Sequence, residues 1–133
     1  MKVVFDTNIF ISAFAIPGGK AEEAYLLCLK GKFTLCSSIP ILTEMAQKLR
    51  EKFGWQEDKI THLLRTIAGV AVINKPQSHI HLLPDEPDNR ILECAEEAKA
   101  DTIVTGDKHL LSLKHFKSRD VITLSDFLKK LSE

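Results

Sequence analysis

Residues 2–10 read KVVFDTNIF: three apolar residues, Val3, Val4 and Phe5, then Asp6, Thr7 and Asn8, then a resumed apolar run. The first three carry no polar alternation. That pattern belongs to a strand covered on both faces, as in a parallel sheet flanked by helices. The chain repeats it. FTLC (33–36), VAVI (70–73), DTIVT (101–105) and VITL (121–124) are short, β-branched and nearly continuous in apolar character.

Amphipathic stretches separate these strands. KAEEAYLLCLKG follows the turn Pro17-Gly18-Gly19, and Glu22 and Glu23 suit the positive end of a helix. A second helix starts near Ser38, a fitting N-cap with Pro40 in the first turn, and stops at Gly54. QEDKITHLLRTIAG forms a third, ending at Gly69. EPDNRILECAEEAKA forms a fourth, opened by Asp85 or Pro87. DKHLLSL is a short fifth, and SDFLKKL closes the chain with Ser125 as cap. Strands alternating with helices make βαβ units. The expected fold is a three-layer α/β/α sandwich around a central, mostly parallel five-stranded sheet. It forms a single domain over residues 1–133, the usual size of one domain. INKPQSHIHLLPDEP is the least regular segment, and such loops carry function on rigid scaffolds.

Composition narrows the function. Lys plus Arg and Asp plus Glu both total 18, so the formal charge is zero and no global basic field exists. A nucleic-acid partner would need a local positive patch. Cys28, Cys36 and Cys94 are odd in number, lie among apolar residues and form no CxxC. They read as reduced core thiols rather than zinc ligands. No apolar run approaches the roughly 20 residues of a membrane span. The N-terminus lacks a basic start and a small-residue cleavage site, so a cytoplasmic location is expected.

In an open α/β sheet, ligands bind beyond the carboxyl ends of the strands. Two strands run out on acids there: VVF into Asp6, and TIVTG into Asp107. Glu44, a polar position amid Ile41, Leu42, Met45 and Leu49, and Asp88, at the start of the fourth helix, are placed to reach the same rim. Each acid has an ordinary reading. Asp6 is a common residue after a strand, Glu44 a solvated helix face, Asp88 a helix N-terminal acid. Together they are harder to dismiss, because clustered carboxylates in a poorly solvated cleft repel each other strongly. A divalent cation removes that repulsion, and an all-oxygen donor set suits Mg²⁺ or Mn²⁺. Thr105-Gly106-Asp107-Lys108 lacks the spacing of a nucleotide-binding P-loop. His79 and His81 have no third ligand and read as surface residues.

FDTNIFISAF, Glu44 in ILTEMAQKL, DEPDNRILECA and ADTIVTGDKHLL stand in the order seen in PIN-domain nucleases. The chain resembles that family from Lys2 to about Leu124, and most of all its VapC-like members, the toxins of toxin–antitoxin pairs. The resemblance implies that Asp6, Glu44, Asp88 and Asp107 are a catalytic, metal-binding acidic quartet around Mg²⁺ or Mn²⁺. It implies an endoribonuclease that hydrolyses RNA phosphodiester bonds and leaves a 5′-phosphate. It also implies a homodimer and inhibition by a cognate antitoxin. At the third position many relatives show adjacent acids. Here Asp88 is assigned and Asp85 is its rival. Asn8 and Thr105 are candidates for donors that hold the carboxylates in place. Lys20, Arg90 and Lys108 are candidate RNA contacts. Two other readings stay open: a catalytically silent PIN-like module binding RNA or protein, and an aspartyl-nucleophile phosphatase or phospho-receiver. The second lacks the usual acid two residues after the nucleophile, where Asn8 stands.

Overall fold

A computed structural model describes residues 1–133. The elements run β1 (Lys2–Phe5), α1 (Thr7–Ala15), α2 (Lys20–Leu29), β2 (Thr34–Ser38), α3 (Ile39–Glu51), α4 (Glu57–Ala68) and β3 (Val72–Asn74). They continue with α5 (Glu86–Ala98), β4 (Thr102–Val104), α6 (Lys108–Leu111), β5 (His115–Phe116), β6 (Arg119–Ile122) and α7 (Leu124–Ser132). The strand order is β3-β2-β1-β4-β6-β5. Every pairing is parallel except β5 with β6.

The sheet therefore has six strands, not the five expected. The extra strand is two residues long and pairs antiparallel at the edge, His115 with Asp120 and Phe116 with Arg119. Its turn is Lys117-Ser118, with φ of 49° and 71°. Two successive positive φ values define the hairpin turn that matches strand twist, normally built from Asn and Gly. Lys-Ser gives no such signal. A second difference is α1. Its apolar residues cover most of its circumference, with Ile9, Phe10, Ile11 and Ala13 all buried, so no polar stripe announced a helix.

The register shows why β1 is central. Val4 pairs with Cys36 of β2 on one side, and Phe5 with Val104 of β4 on the other. Val3, Val4 and Phe5 are wholly buried. The crossovers from β1 through β2 to β3 step one way and that from β4 to β6 steps the other. The order thus reverses between β1 and β4, which is the switch point where such sheets bind ligands.

Helix placement follows local chemistry. Ser38 Oγ accepts the Ile41 N–H, and Pro40 sits in the first turn of α3. Ile41, Met45 and Leu49, spaced by four, face the core, while Glu44 and Lys48 share a different face. An aromatic cluster ties the C-terminal helix to the first strand. The Phe127 ring lies 5.0 Å from Phe33 and 6.2 Å from Phe5, and Phe5 lies 5.7 Å from Phe10. Edge-on packing of this kind adds to the burial of each ring.

The cap of α7 is Thr123, whose side chain accepts the Asp126 N–H, and not Ser125 as the sequence suggested. Ser125 is one residue inside the helix and accepts from Lys20 instead. Thr123→Ala is expected to cost about 1 kcal/mol of unfolding free energy in urea titration, and Ser125→Ala under about 0.5 kcal/mol. The reverse ranking would restore Ser125 as the cap.

Candidate active site

The acids arrive at the switch point by separate routes. Asp6 directly follows β1, and its backbone N–H continues the ladder by donating to Val104 O at 3.0 Å. Asp107 follows β4 by three residues and opens α6. Thr105 joins the two. Its hydroxyl donates to Asp6 Oδ2 at 2.7 Å and accepts the Asp107 backbone N–H at 2.9 Å. Thr105 is wholly buried, so its hydroxyl is held in place by both partners. Asp107 Oδ1 caps α6 through the N–H groups of His109 and Leu110, at 2.8 and 3.1 Å. One oxygen of each aspartate is thereby pinned, which leaves Asp6 Oδ1 and Asp107 Oδ2 without a protein partner.

Glu44 reaches the cleft from α3, where Oε2 accepts from Thr7 Oγ1 at 3.1 Å. Asp88 reaches it from the first turn of α5. Asp6, Glu44, Asp85, Asp88 and Asp107 line one cleft of about 280 Å³, with Asn8, Lys48 and Pro87 and no hydrophobic side chain. Asp85 is exposed and its side chain does not cap α5, while Asp88 is buried. Asp88 Oδ2 is sealed from solvent and has no hydrogen-bond partner. A buried carboxylate oxygen without a protein partner is costly and calls for a proton, a water or a cation.

The electrostatics agree. Burial raises the Asp88 carboxyl to about 6, and the nearby charges of Asp107, Asp6 and Asp85 add to the shift. Burial also raises Asp6, with Glu44 and Asp107 contributing, against the lowering effect of the Thr105 hydrogen bond and of Lys48. The cleft holds more negative charge than it can neutralise.

An all-oxygen set with an orphaned buried carboxylate oxygen fits a hard divalent cation. No three Asp, Glu, His or Cys side chains are arranged to enclose an ion unaided.

The remaining sequence candidates fall differently. Asn8 was expected to donate to the carboxylates, but its Oδ1 instead accepts from Lys48 Nζ at 3.2 Å. Lys20 lies away from the cleft and donates to Ser125 Oγ at 2.8 Å. Arg90 is spent on its own helix, pairing with Glu86 at 3.1 Å and Glu93 at 2.9 Å. Lys108 is exposed at the first position of α6, next to Asp107. The sequence reading missed Lys48. Its Nζ lies 3.1 Å from Glu44 Oε1 inside the acidic cleft. The signal was available, since Lys48 stands four residues after Glu44 and shares its helix face.

An α/β domain with carboxylates gathered where the strand order reverses defines the class. A family model described as the PIN domain matches residues 2–109, and the chain belongs to that family. It is 38% identical over 119 residues to an uncharacterized protein of Methanocaldococcus jannaschii, covering 86% of this chain and 76% of the relative. Two solved structures share the fold. VapBC2 from Rickettsia felis, bound to a DNA fragment from its promoter, aligns with TM-score 0.64 at 16% identity. FitAcB from Neisseria gonorrhoeae aligns with TM-score 0.54 at 15% identity. Each alignment covers 92% of this chain and 98% of the other.

The raised Asp88 carboxyl makes a prediction about stability. A carboxyl whose folded pKa exceeds its unfolded value binds its proton more tightly when folded. Its contribution is favourable at low pH and is lost as pH rises from about 4 to about 6. In EDTA, the unfolding free energy is expected to fall over that window by about 1–2 kcal/mol, with Asp88→Asn removing most of the fall. Asp85→Asn, at an exposed position, is expected to leave it in place. Identical pH profiles for the parent and Asp88→Asn would show that Asp88 is not strained.

Proposed function

We propose that this protein is a metal-dependent endoribonuclease that hydrolyses RNA phosphodiester bonds, and that it is the toxin of a toxin–antitoxin pair. The observation that carries the reading is the cleft of five acids at the β1–β4 switch point, with Asp88 Oδ2 buried and unpartnered. Membership of a family whose members are typically nucleases supports it.

Asp6, Asp88 and Asp107 would hold Mg²⁺ or Mn²⁺, with Glu44 completing the set. The bound ion supplies an acidified water and positive charge beside the phosphate. The protein's own groups do the rest. Thr105 holds the Asp6 carboxylate against rotation and fixes the start of α6. Glu44 is oriented by Thr7. Asp88, delivered by the first turn of α5 with Oδ2 buried and unpartnered, would hold the ion together with Asp6 and Asp107. Water attacks phosphorus and gives up a proton to a carboxylate of the cleft. The P–O3′ bond then breaks, and the proton returns to the 3′ oxygen, leaving a 3′-hydroxyl and a 5′-phosphate. Lys108, exposed beside Asp107, is the candidate of the three basic residues best placed to meet an RNA phosphate.

The partner proposal rests on a separate surface. A groove of about 820 Å³ between α3 and α4 is lined by Ile39, Leu42, Ala46, Leu64 and Ile73 among others. Thr43, Gln47, Arg50, Glu51, Thr61 and Arg65 also line it, and a groove that mixes apolar and charged groups suits a protein partner such as an antitoxin.

Purified protein is expected to cut RNA with Mg²⁺ or Mn²⁺ and not with EDTA. Asp6→Asn or Asp107→Asn is expected to lower the rate at least about a hundredfold, with an unchanged circular dichroism spectrum. Undiminished cleavage by Asp6→Asn, or by the parent in EDTA, would end the assignment.

A further inference from the structure

Lys48 is the one cation among five acids in the cleft. A Glu–Lys pair four residues apart on a helix is ordinarily a weak surface contact. Three observations set this one apart. Lys48 is only 26% exposed, and its ammonium lines the cleft itself. It bridges two elements, lying 3.1 Å from Glu44 Oε1 on α3 and donating to Asn8 Oδ1 on α1 at 3.2 Å. Its charge also reaches Asp6, whose carboxyl it favours in the ionised form. Glu44 is left with no free oxygen, since Thr7 holds Oε2 and Lys48 holds Oε1.

We propose that Lys48 is a tethered counter-ion that competes with the divalent cation for the cleft and so sets how tightly that cation is held. The inference rests on the metal-dependent reading above. With no divalent ion bound, Lys48 offsets part of the carboxylate repulsion at Glu44 and Asp6. When an ion enters, the ammonium must yield Glu44 Oε1 or stay beside a second positive charge. Both alternatives weaken the ion's binding. The cleft is therefore built for a cation that comes and goes, rather than one that is permanently sequestered.

The test is Mn²⁺ titration at pH 8, following free Mn²⁺ by electron paramagnetic resonance, on the parent, Lys48→Met and Lys48→Arg. Lys48→Met keeps the length of the side chain and removes the charge. It is expected to bind Mn²⁺ about tenfold more tightly, while Lys48→Arg, which keeps the charge, stays within about twofold of the parent. In EDTA, Lys48→Met is expected to melt below the parent by circular dichroism, and saturating Mn²⁺ is expected to close that gap. Equal or weaker Mn²⁺ binding by Lys48→Met overturns the proposal and leaves the nuclease reading standing. So does a Lys48→Arg affinity that rises with Lys48→Met, because charge would then not be the cause. Absence of Mn²⁺ binding by all three proteins overturns both.

Discussion

The Thr105 hydroxyl is the point on which the site depends. It donates a hydrogen bond to Asp6 and accepts one from the Asp107 backbone N–H, so it joins the end of β1 to the exit of β4 at a buried residue. The bond is possible only because the two strands are parallel neighbours, with Phe5 beside Val104. Parallel neighbours in that order require a crossover that returns from the far edge of the sheet through α5. The same crossover delivers Asp88. Strand pairing, helix placement and site geometry are therefore one constraint seen at three scales.

The constraint has an electrostatic consequence. Carboxylates delivered to one point by a rigid sheet cannot relax apart. Asp6 and Asp88 are both raised by burial and by neighbouring acids, and Lys48 offsets only part of that charge. Removing such carboxylates in the absence of metal should make folding easier, not harder. A cluster kept at that cost is unlike a structural ion pair, in which charges are matched. Family membership and electrostatics thus point the same way from independent premises.

How much of this was legible beforehand depended on the kind of signal. The strands were readable because a continuous β-branched run, too short for a helix, packs best as a strand covered on both faces. The gathering of Asp6, Glu44, Asp88 and Asp107 at one cleft was legible because two of them end such runs. Ser38 was readable as a cap from its place before Pro40. Lys48 apart, whose place four residues after Glu44 was visible, the failures share a cause: each turned on a geometry that residue type does not encode. Lys117-Ser118 adopts a glycine-like turn. The buried helix α1 shows no polar stripe, since neighbours cover it on several sides. Thr123 and Ser125 are both good caps by composition, and only the start of the helix decides between them. Lys20 and Arg90 were plausible RNA contacts until their partners were known. Arg90 is committed to Glu86 and Glu93, and no count of basic residues could have revealed that.

The irregular segment between β3 and α5 shows how one helix does two jobs. Along α5, Asn89, Glu93 and Glu97 recur every four residues and so share a face. Asn89 exchanges hydrogen bonds with Leu83, accepting its N–H at 2.8 Å and donating to its carbonyl at 2.9 Å. Glu93 accepts the Ile80 N–H at 2.8 Å, and Glu97 that of Gln77 at 3.0 Å. These side chains supply the partners that an adjacent strand would otherwise give. Backbone groups in a loop with no ladder must bond to something, and here they bond to a helix face. The buried Glu93 needs a cation in turn, and Arg90 meets that need. The acids along α5 are thus divided by position. Those facing the loop are neutralised by backbone N–H groups and Arg90, while Asp88, one residue before Asn89, receives no such partner for Oδ2. The helix thus satisfies the acids along its loop-facing side and leaves the one at the cleft with an oxygen that no protein group meets.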